Sequence, residues 1–251
     1  MATVRDIYEF IDSFAPFCTQ MSFDNSGLLV GDEKAQVTRA LLTLDISGEA
    51  VREAEKLGCE LVISHHPVIF YPLRSVMTGT PVYALVKAGI SAICAHTNLD
   101  IAEGGVNTCL ADRLLLTETQ TVEGCEVGLL GKTDKTYTPE GFARFVKERL
   151  GCGSVELAGG GNEIKNAAVL SGAGGGDIEK MLAAGADAVV TGEVKHNVFV
   201  DMCGVGKTLI AAGHYHTEAV VLEPLARKLR EAFPDTQFIL TQTGSPSKAI
   251  Y

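Results

Sequence analysis

Histidine and acidic residues follow three apolar segments of the chain, and each segment reads as a strand. The three motifs are SHHP at 64–67, AHTNLD at 95–100 and GHYHTE at 213–218. In open α/β sheets ligands bind at the carboxyl ends of strands, so we expect the motifs to converge. Imidazole and carboxylate without thiolate suit zinc, manganese or iron, and a carboxylate can bridge two such ions. The pattern therefore predicts a metal site with hydrolase-like chemistry.

The adjacent histidines of the first motif require a particular backbone. Neighbouring residues on a regular strand point to opposite faces. His65 and His66 therefore reach one centre only if the strand ends before them, and otherwise they would reach two different ions. Pro67 restricts the backbone of His66, which favours such an ending.

The other two motifs each pair a histidine with an acidic residue four positions later. A helix that begins near Thr217 would leave His214 on the preceding loop and place Glu218 in the first turn. His96 and Asp100 have the same separation within a loop rich in polar groups. A single bend in either motif could therefore bring both side chains towards the strand ends.

Strands alternate with short helices that end at glycine around the first two motifs. The strands are predicted in RALLTLDIS, CELVISHHP and ISAICAHTNLD, and the helices in GEAVREAEKLG and TPVYALVKAG. This alternation indicates βαβ units and a largely parallel sheet whose faces are covered by helices.

A second series of elements follows, from EVGLLGKTDK to TLIAAGHYH, and a long last helix, EAVVLEPLARKLREAF, precedes a strand in QFILTQT. Two comparable sandwiches are favoured over one sheet of about ten strands, because large open sheets tend to curl or split. We therefore predict two α/β domains, one formed by residues 1–121 and 215–251 and the other by residues 122–214.

Composition narrows the classes of protein that fit. The 251 residues are 46% hydrophobic, enough for a sizeable core, and the formal charge of −10 argues against nucleic-acid binding. The opening MATVRDIYEFIDSF is acidic where a signal peptide is basic, and no apolar run is long enough to span a bilayer, so we expect a cytoplasmic protein. The seven cysteines include no CxxC pair, which favours reduced thiols.

Five motifs, in order, resemble those of the Nif-three-like dinuclear-metal proteins, commonly labelled GTP cyclohydrolase I type 2 homologues. They are DNSGLLVGD, SHHPVIF, AHTNLDIAEGGVN, TGEVKH and GHYHTE. The resemblance covers the chain from about residue 20 to its end. It implies two divalent metal ions with Glu218 as the bridging ligand, and it places His96 at the edge of the site. The implied ligands are His65, His66, Asp100, His214 and Glu218.

The resemblance also implies an architecture and an assembly. The implied fold has two intertwined three-layer α/β/α domains with mixed sheets, and the metal site lies in the cleft between them. A toroidal homohexamer is implied as well. Two residues depart from the family pattern, Asn197 where a second histidine is frequent and Ala219 where some relatives have arginine. They bear on substrate preference and leave the predicted ligands intact.

These observations favour one function and leave alternatives. We predict a metal-dependent hydrolase that acts on a small nucleotide-like or phosphorylated substrate, with Glu218 and His96 as candidate catalytic residues. The alternative is a metal-binding regulatory or scaffold protein that acts through protein interactions. Nucleic-acid binding is the weakest hypothesis, because the chain carries 21 basic and 31 acidic residues.

Three further motifs have structural as well as functional interpretations. DMCGVGKT ends like a phosphate-binding loop but has Asp201 in place of the first glycine, and it is predicted to follow a helix, so we expect Lys207 to be a solvated loop residue. GAGGGD at 172–177 is either a turn or a cradle for an anion. In TGEVKH, Glu193 and His196 could contact substrate or transfer protons, and Glu193 could instead cap the following helix.

Overall fold

The computed structural model describes residues 1–125 and 127–246. The strands are β1 Ala2–Thr3, β2 Gly27–Val30, β3 Gln36–Val37, β4 Arg39–Thr43, β5 Leu61–Ser64, β6 Ser91–Cys94, β7 Thr117–Gln120, β8 Leu129–Tyr137, β9 Glu156–Gly159, β10 Ile164–Leu170, β11 Ala188–Thr191, β12 Thr208–Ala211 and β13 Gln237–Leu240. The α-helices are α1 Val4–Phe14, α2 Gly48–Leu57, α3 Pro81–Ala88, α4 Thr97–Ile101, α5 Val106–Arg113, α6 Pro139–Leu150, α7 Ile178–Ala183, α8 His196–Met202, α9 His214–Glu218 and α10 Leu222–Ala232. Short 3-10 helices span Phe17–Thr19 and Ala219–Val221.

The chain forms two compact units. The first contains Met1–Glu103 and Leu222–Gly244, and the second contains Gly104–Val221 with residues 245 and 246. The sequence-based boundaries lay at 121/122 and 214/215, whereas the units divide at 103/104 and 221/222. The first boundary differs because β7 pairs with β8 and α5 packs on β8 and β10, so both elements belong to the second unit. The second differs because α9 and the 3-10 turn that follows it pack on α5.

The sheet of the first unit has the order β13-β4-β5-β6-β2. Its strands β13, β4, β5 and β6 are parallel, and β2 runs antiparallel to β6 at the edge. Every residue of β5 and β6 is buried, as expected for interior strands covered on both faces. Apolar side chains of α2 and α3, including Val51 and Leu85, pack in one cluster with strand residues such as Val62.

The helices of this sheet have the sequence signals that predicted them. The Ser47 hydroxyl accepts a hydrogen bond from the Ala50 amide at the start of α2, and the Thr80 hydroxyl accepts one from the Tyr83 amide at the start of α3. Both helices end at a glycine in the left-handed region, with φ of 66° at Gly58. Only glycine adopts this conformation without steric cost, so the chain can turn directly into the next strand.

The second unit has a mixed sheet in the order β7-β8-β10-β11-β12-β9. Strands β10, β11 and β12 are parallel, while the strands paired to them at either side, β8 and β9, run antiparallel. Alternate residues of β10 enter different apolar clusters: Ala167 and Val169 pack with Phe142 of α6, and Ala168 and Leu170 pack with Met181 of α7. Because neighbouring strand residues face opposite sides, this sheet carries helices on both faces.

The molecule is therefore an α/β protein with two mixed sheets, as predicted. The long last helix is an exception, because it is divided into α9, the 3-10 turn Ala219–Val221 and α10. Among the residues that the structure describes, every helix falls short of the length or the apolarity that crossing a bilayer requires.

Candidate metal centre

Strand β5 ends at Ser64, so the two adjacent histidines lie just beyond the sheet. The His65 amide donates to the Thr43 carbonyl at 3.3 Å, and the His66 amide donates to the Leu44 carbonyl at 2.9 Å. These bonds continue the contact with β4 after the regular strand has stopped. The prediction that the strand ends before His65 is confirmed. The two rings therefore need not point to opposite faces, as neighbouring side chains on a strand do.

Three imidazoles of the first unit form a cluster. The ring centroids of His65 and His66 are 5.0 Å apart, and the ring of His96 lies 5.2 Å from the first and 5.5 Å from the second. One ring nitrogen of each residue lies within 4.8 Å of the other two, and His65 is buried. Such a group could hold a metal ion.

Each of the three rings is oriented by an oxygen at its Nδ1. The pairs are His65 with the Ala95 carbonyl at 2.9 Å, His66 with Asp45 Oδ1 at 2.8 Å, and His96 with Asp24 Oδ1 at 2.8 Å. Carbonyl and carboxylate oxygens only accept hydrogen bonds, so the Nδ1 atom of each ring carries the proton. The lone pair of a neutral ring is then on Nε2, which is the arrangement that metal-binding histidines adopt with carboxylate partners.

Asp24 is the most constrained of these partners. Its side chain is fully buried, and Oδ2 accepts hydrogen bonds from the Thr97 amide at 3.0 Å and the Ser26 hydroxyl at 3.2 Å. Burial raises the pKa of Asp24, but the hydrogen bonds from His96 and Thr97 outweigh it and hold the pKa below its usual value. The carboxylate is therefore ionised and fixes the His96 ring.

Asp100 joins the cluster from helix α4. Its Oδ1 lies 3.5 Å from Nε2 of His65. Asp100 and His96 were predicted to lie in a polar loop, but Thr97–Ile101 is helical and His96 occupies the N-cap position. Four residues make about one turn of helix, so Asp100 lies on the same side of α4 as His96.

A thiol lies beside the cluster without offering a metal ligand. Cys94, the last residue of β6, donates from Sγ to the His65 carbonyl at 2.9 Å. Burial raises the pKa of Cys94 well above its usual value, so the group stays protonated. The available donors are therefore imidazole and carboxylate, as the sequence indicated.

In the second unit, His214 and Glu218 lie at opposite ends of α9. His214 Nε2 is 3.1 Å from Glu218 Oε2, and the glutamate is buried. The expected helix start near Thr217 is wrong, because α9 begins at His214. Gly213, with φ of 88°, turns the chain from β12 into the helix immediately.

Glu193 orients His214. Its Oε1 lies 3.1 Å from Nδ1 of His214, on the ring edge opposite Glu218. The alternative role as a helix cap does not hold, because α8 begins at His196 after an N-cap at Lys195 that has no side-chain capping bond. His196 itself is exposed.

The GAGGGD segment begins against this pair. Gly172 has φ of 59°, and a Cβ at this position would collide with Oε1 of Glu218. The Gly172 amide donates to the Thr217 hydroxyl at 3.1 Å. The turn interpretation of this glycine is therefore supported, since the backbone must approach the Glu218 carboxylate closely.

The segment that ends in GKT follows α8 and opens β12, which is the context that argued against a phosphate-binding loop. Lys207 was expected to be a solvated loop residue. It lies in the loop before β12, but its side chain is only 28% exposed and its Nζ lies 3.1 Å from Asp187 Oδ1.

The structure brings together four predicted residues of the first unit, His65, His66, His96 and Asp100, and two of the second, His214 and Glu218. The orienting roles of Asp24 and Asp45 were not predicted from the sequence. Asp24 lies in the quoted DNSGLLVGD motif, and Asp45 follows the carboxyl end of β4. Acidic residues at strand ends were the available signal.

Comparisons with known proteins agree with this architecture. A Clostridium perfringens protein named GTP cyclohydrolase 1 type 2 homolog is 31% identical over 254 residues, covering 95% of this chain and 96% of that protein. A Helicobacter pylori protein named GTP cyclohydrolase 1 type 2 is 29% identical over 87% of this chain and 88% of its own length. The crystal structure of a Staphylococcus aureus hypothetical protein matches with a TM-score of 0.93 and 29% identity over 99% of both chains. The family model described as Duf34/NIF3 (NGG1p interacting factor 3) matches residues 2–246, and the chain belongs to that family.

Proposed function

We propose that this protein is a hydrolase that depends on two divalent metal ions and acts on a small nucleotide-like or phosphorylated substrate. The residues that would hold the ions are His65, His66, Asp100, His214 and Glu218. The observation that carries the proposal is the cluster of three imidazoles, each oriented at Nδ1 by an oxygen acceptor.

The residues present fit such ions. Imidazole nitrogens and carboxylate oxygens suit zinc, manganese and iron, and the orienting oxygens supply the outer contacts that metal-binding histidines require. Bound divalent ions supply Lewis-acid activation of water and stabilise negative charge as it develops on the substrate. The names of the Clostridium perfringens and Helicobacter pylori proteins support hydrolysis of a nucleotide-like compound.

Two residues of the chain are assigned to proton transfer. His96 can accept a proton at Nε2, because its Nδ1 already donates to Asp24 and the buried carboxylate stabilises the resulting positive charge. Glu218 is buried beside His214 and combines the role of ligand with that of a base. His96 stays at the edge of the proposed site in this assignment, where it can reach a substrate group.

The experiment is a metal titration followed by a substrate screen. Metal-free protein is loaded with zinc or manganese and desalted, and we expect elemental analysis to find about two ions per chain. His65→Asn should lose metal, whereas the exposed His196→Asn control should retain it. Loaded protein is then incubated with cell extract to find metabolites that only this form depletes. A loaded sample without turnover on nucleotide, phosphoester and cyclic-amide panels would contradict the proposal.

A second candidate is a metal-binding regulatory or scaffold protein. The family description, which refers to an interacting factor, favours it. Glu218→Ala separates the two candidates. A docking protein should keep its partner when this variant loses metal, and no metal-dependent activity should be detectable in the unaltered protein.

The family resemblance also supports a toroidal hexamer, which we include in the proposal. Sedimentation velocity of the metal-free and the metal-loaded protein tests it. A species of six chains is expected, and a stable monomer would refute this part of the proposal.

A further inference from the structure

A series of aromatic rings leads away from the histidine cluster of the first unit. The Phe70 ring lies 6.3 Å from the His96 ring and 4.8 Å from the Tyr71 ring, both edge to face. On its other side the Phe23 ring lies 6.4 Å from Phe70. Phe70 therefore links His96, at the edge of the proposed site, to an aromatic residue from a different part of the chain.

The backbones that carry Phe23 and Phe70 are tied together. The Asn25 side-chain amide donates to the Ile69 carbonyl at 2.6 Å, and Ile69 packs against the apolar core of the first unit. Asp24, next to Phe23, is fixed by its hydrogen bond to His96. Both aromatic residues thus project from backbone that hydrogen bonds of neighbouring residues anchor.

The aromatic side chains at this place are unusually exposed. Phe23 is 60% exposed and Tyr71 is 74% exposed, although burying an aromatic ring is among the larger sources of stability. Exposed apolar surface rimmed by polar groups marks ligand or partner sites more often than it marks ordinary surface. Here His96 lies next to the Phe70 ring, so a ligand held by the rings would lie beside the histidine cluster.

We propose that Phe23 and Phe70 form an aromatic clip that stacks a planar heteroaromatic ring, of the nucleobase class, in the substrate. This inference rests on the proposed function and specifies its substrate class. A flat ring in van der Waals contact with two others needs their planes about 7 Å apart. The ring centroids of Phe23 and Phe70 are 6.4 Å apart and their planes are inclined by 39°, which is a direct contact between two tilted rings rather than a parallel gap. The proposal therefore requires the exposed Phe23 side chain to rotate away from Phe70 when the base enters.

The chemistry of the clip favours an aromatic ring over a sugar or a phosphate. Stacking on aromatic side chains contributes to the binding of every base, because every base has a π face. Phe70 is held edge-on by His96 and Tyr71, so its plane is fixed before a ligand arrives. A fixed Phe70 plane lowers the entropic cost of stacking. It also sets the plane of the bound base and so the directions of the substituents on that base.

The experiment measures binding to metal-free protein, which separates recognition of the ring from metal loading and turnover. Calorimetry compares guanosine monophosphate with ribose 5-phosphate, which lacks the base. We expect the nucleotide to bind at least tenfold more tightly, and Phe70→Leu or Phe23→Leu to weaken it roughly ten- to a hundredfold with little effect on ribose 5-phosphate. Phe10→Leu is the matched control, because Phe10 is another half-buried ring of this unit and packs on Phe14 and Phe233 instead.

A conservative substitution adds a direct readout. The chain contains no tryptophan, so Phe23→Trp introduces a single indole that can still stack. Saturable quenching of its fluorescence by guanosine monophosphate, but not by ribose 5-phosphate, is expected.

Equal affinity for the two probes, or unchanged nucleotide binding in both leucine variants, would overturn the clip. Smaller oligomers in both leucine variants, with nucleotide binding intact, would also overturn it by assigning the rings to contact between copies. If the clip binds nucleotide while the loaded protein hydrolyses nothing, the proposed function fails and the clip stands. If instead both leucine variants hydrolyse the substrate with unaltered KM, the proposed function stands and the clip fails.

Discussion

The Nδ1 atom of His96 lies 2.8 Å from Oδ1 of Asp24, a residue 72 positions earlier in the chain. This contact joins the turn before β2 to the start of α4. It explains why a fully buried carboxylate is stable here, since charged hydrogen bonds replace the water that Asp24 loses on folding.

Asp24→Asn tests this contact. The change removes the negative charge but keeps the shape, so His96 and Thr97 lose a charged acceptor. We expect the free energy of unfolding to fall by about 1.5–3 kcal/mol at neutral pH, measured by urea denaturation. Asp235→Asn, on an exposed turn of the same unit, should change stability by no more than about 0.5 kcal/mol. Equal effects of the two substitutions would argue against a special role for Asp24.

Gly172→Ala tests the close approach of the backbone to Glu218. Gly151 is the matched control, because its φ of 66° is close to the 59° of Gly172 and a Cβ there would meet nothing within 4 Å. The control should cost about 1–2 kcal/mol for the left-handed conformation alone. Gly172→Ala should cost about 1–3 kcal/mol more, because the added methyl group displaces the Glu218 carboxylate. Thermal unfolding of both variants measures the difference, and equal costs would show that the contact with Glu218 is relaxed.

Glu193→Ala tests the orientation of His214. If His214 is a metal ligand, loss of the carboxylate at its Nδ1 should weaken metal binding by about 10- to 100-fold. Competition with a metal-binding dye measures the affinity. Glu193→Gln should retain part of it, since the amide oxygen still accepts a hydrogen bond. Glu163→Ala is the control, because Glu163 is a similarly exposed carboxylate that pairs with Lys165.

Asp187, which lies outside the candidate site, should make the stability of the protein depend on pH. Burial raises the pKa of Asp187, but hydrogen bonds from the amides of Asn166 and Lys165 and from Lys207 outweigh it, so the pKa is lowered. The folded pKa lies below that of the unfolded chain, about 3.9. The contribution of Asp187 is therefore fully present above that pH and is lost as the pH falls through the folded value.

Asp187→Asn should accordingly reduce the free energy of unfolding by about 1–3 kcal/mol at pH 7. The difference from the unaltered protein should narrow below about pH 4, where the carboxyl group becomes protonated in the unfolded chain. Urea denaturation at several pH values measures it, with the exposed Asp201→Asn as control. A difference that stays constant down to pH 3 would refute the assigned pKa shift.

Much of the fold could be predicted from local sequence. Helices α2 and α3 have their capping residues and terminal glycines within a few positions, and β5 and β6 are continuous apolar runs. These signals are local, so they can be read without knowing what the chain contacts elsewhere. Strand β7 lacked such a signal, because all four residues of TETQ are exposed and polar and only the pairing with β8 defines the strand.

In the candidate site, too, features with a local sequence signal could be predicted and contacts between distant residues could not. His65, His66, Asp100, His214 and Glu218 were predicted as ligands from metal-binding residue types at three predicted strand ends and from the motifs shared with the family. The partners of these residues depend on contacts across the fold, and Asp45 reaches His66 from 21 positions away. Helix α9 was misplaced for a related reason, because the glycine that permits its abrupt start at His214 gives no separate signal of where the helix begins.

The parallel pairing of β13 with β4 has a consequence for synthesis on the ribosome. The neighbour that covers one edge of β4 lies at residues 237–240, so it is translated about 200 residues later than the strand it completes. Until then, the nascent chain that carries His65, His66 and His96 exposes an unpaired strand edge, which is a template for misassociation. Truncation before β13 should therefore produce aggregation rather than a smaller folded fragment.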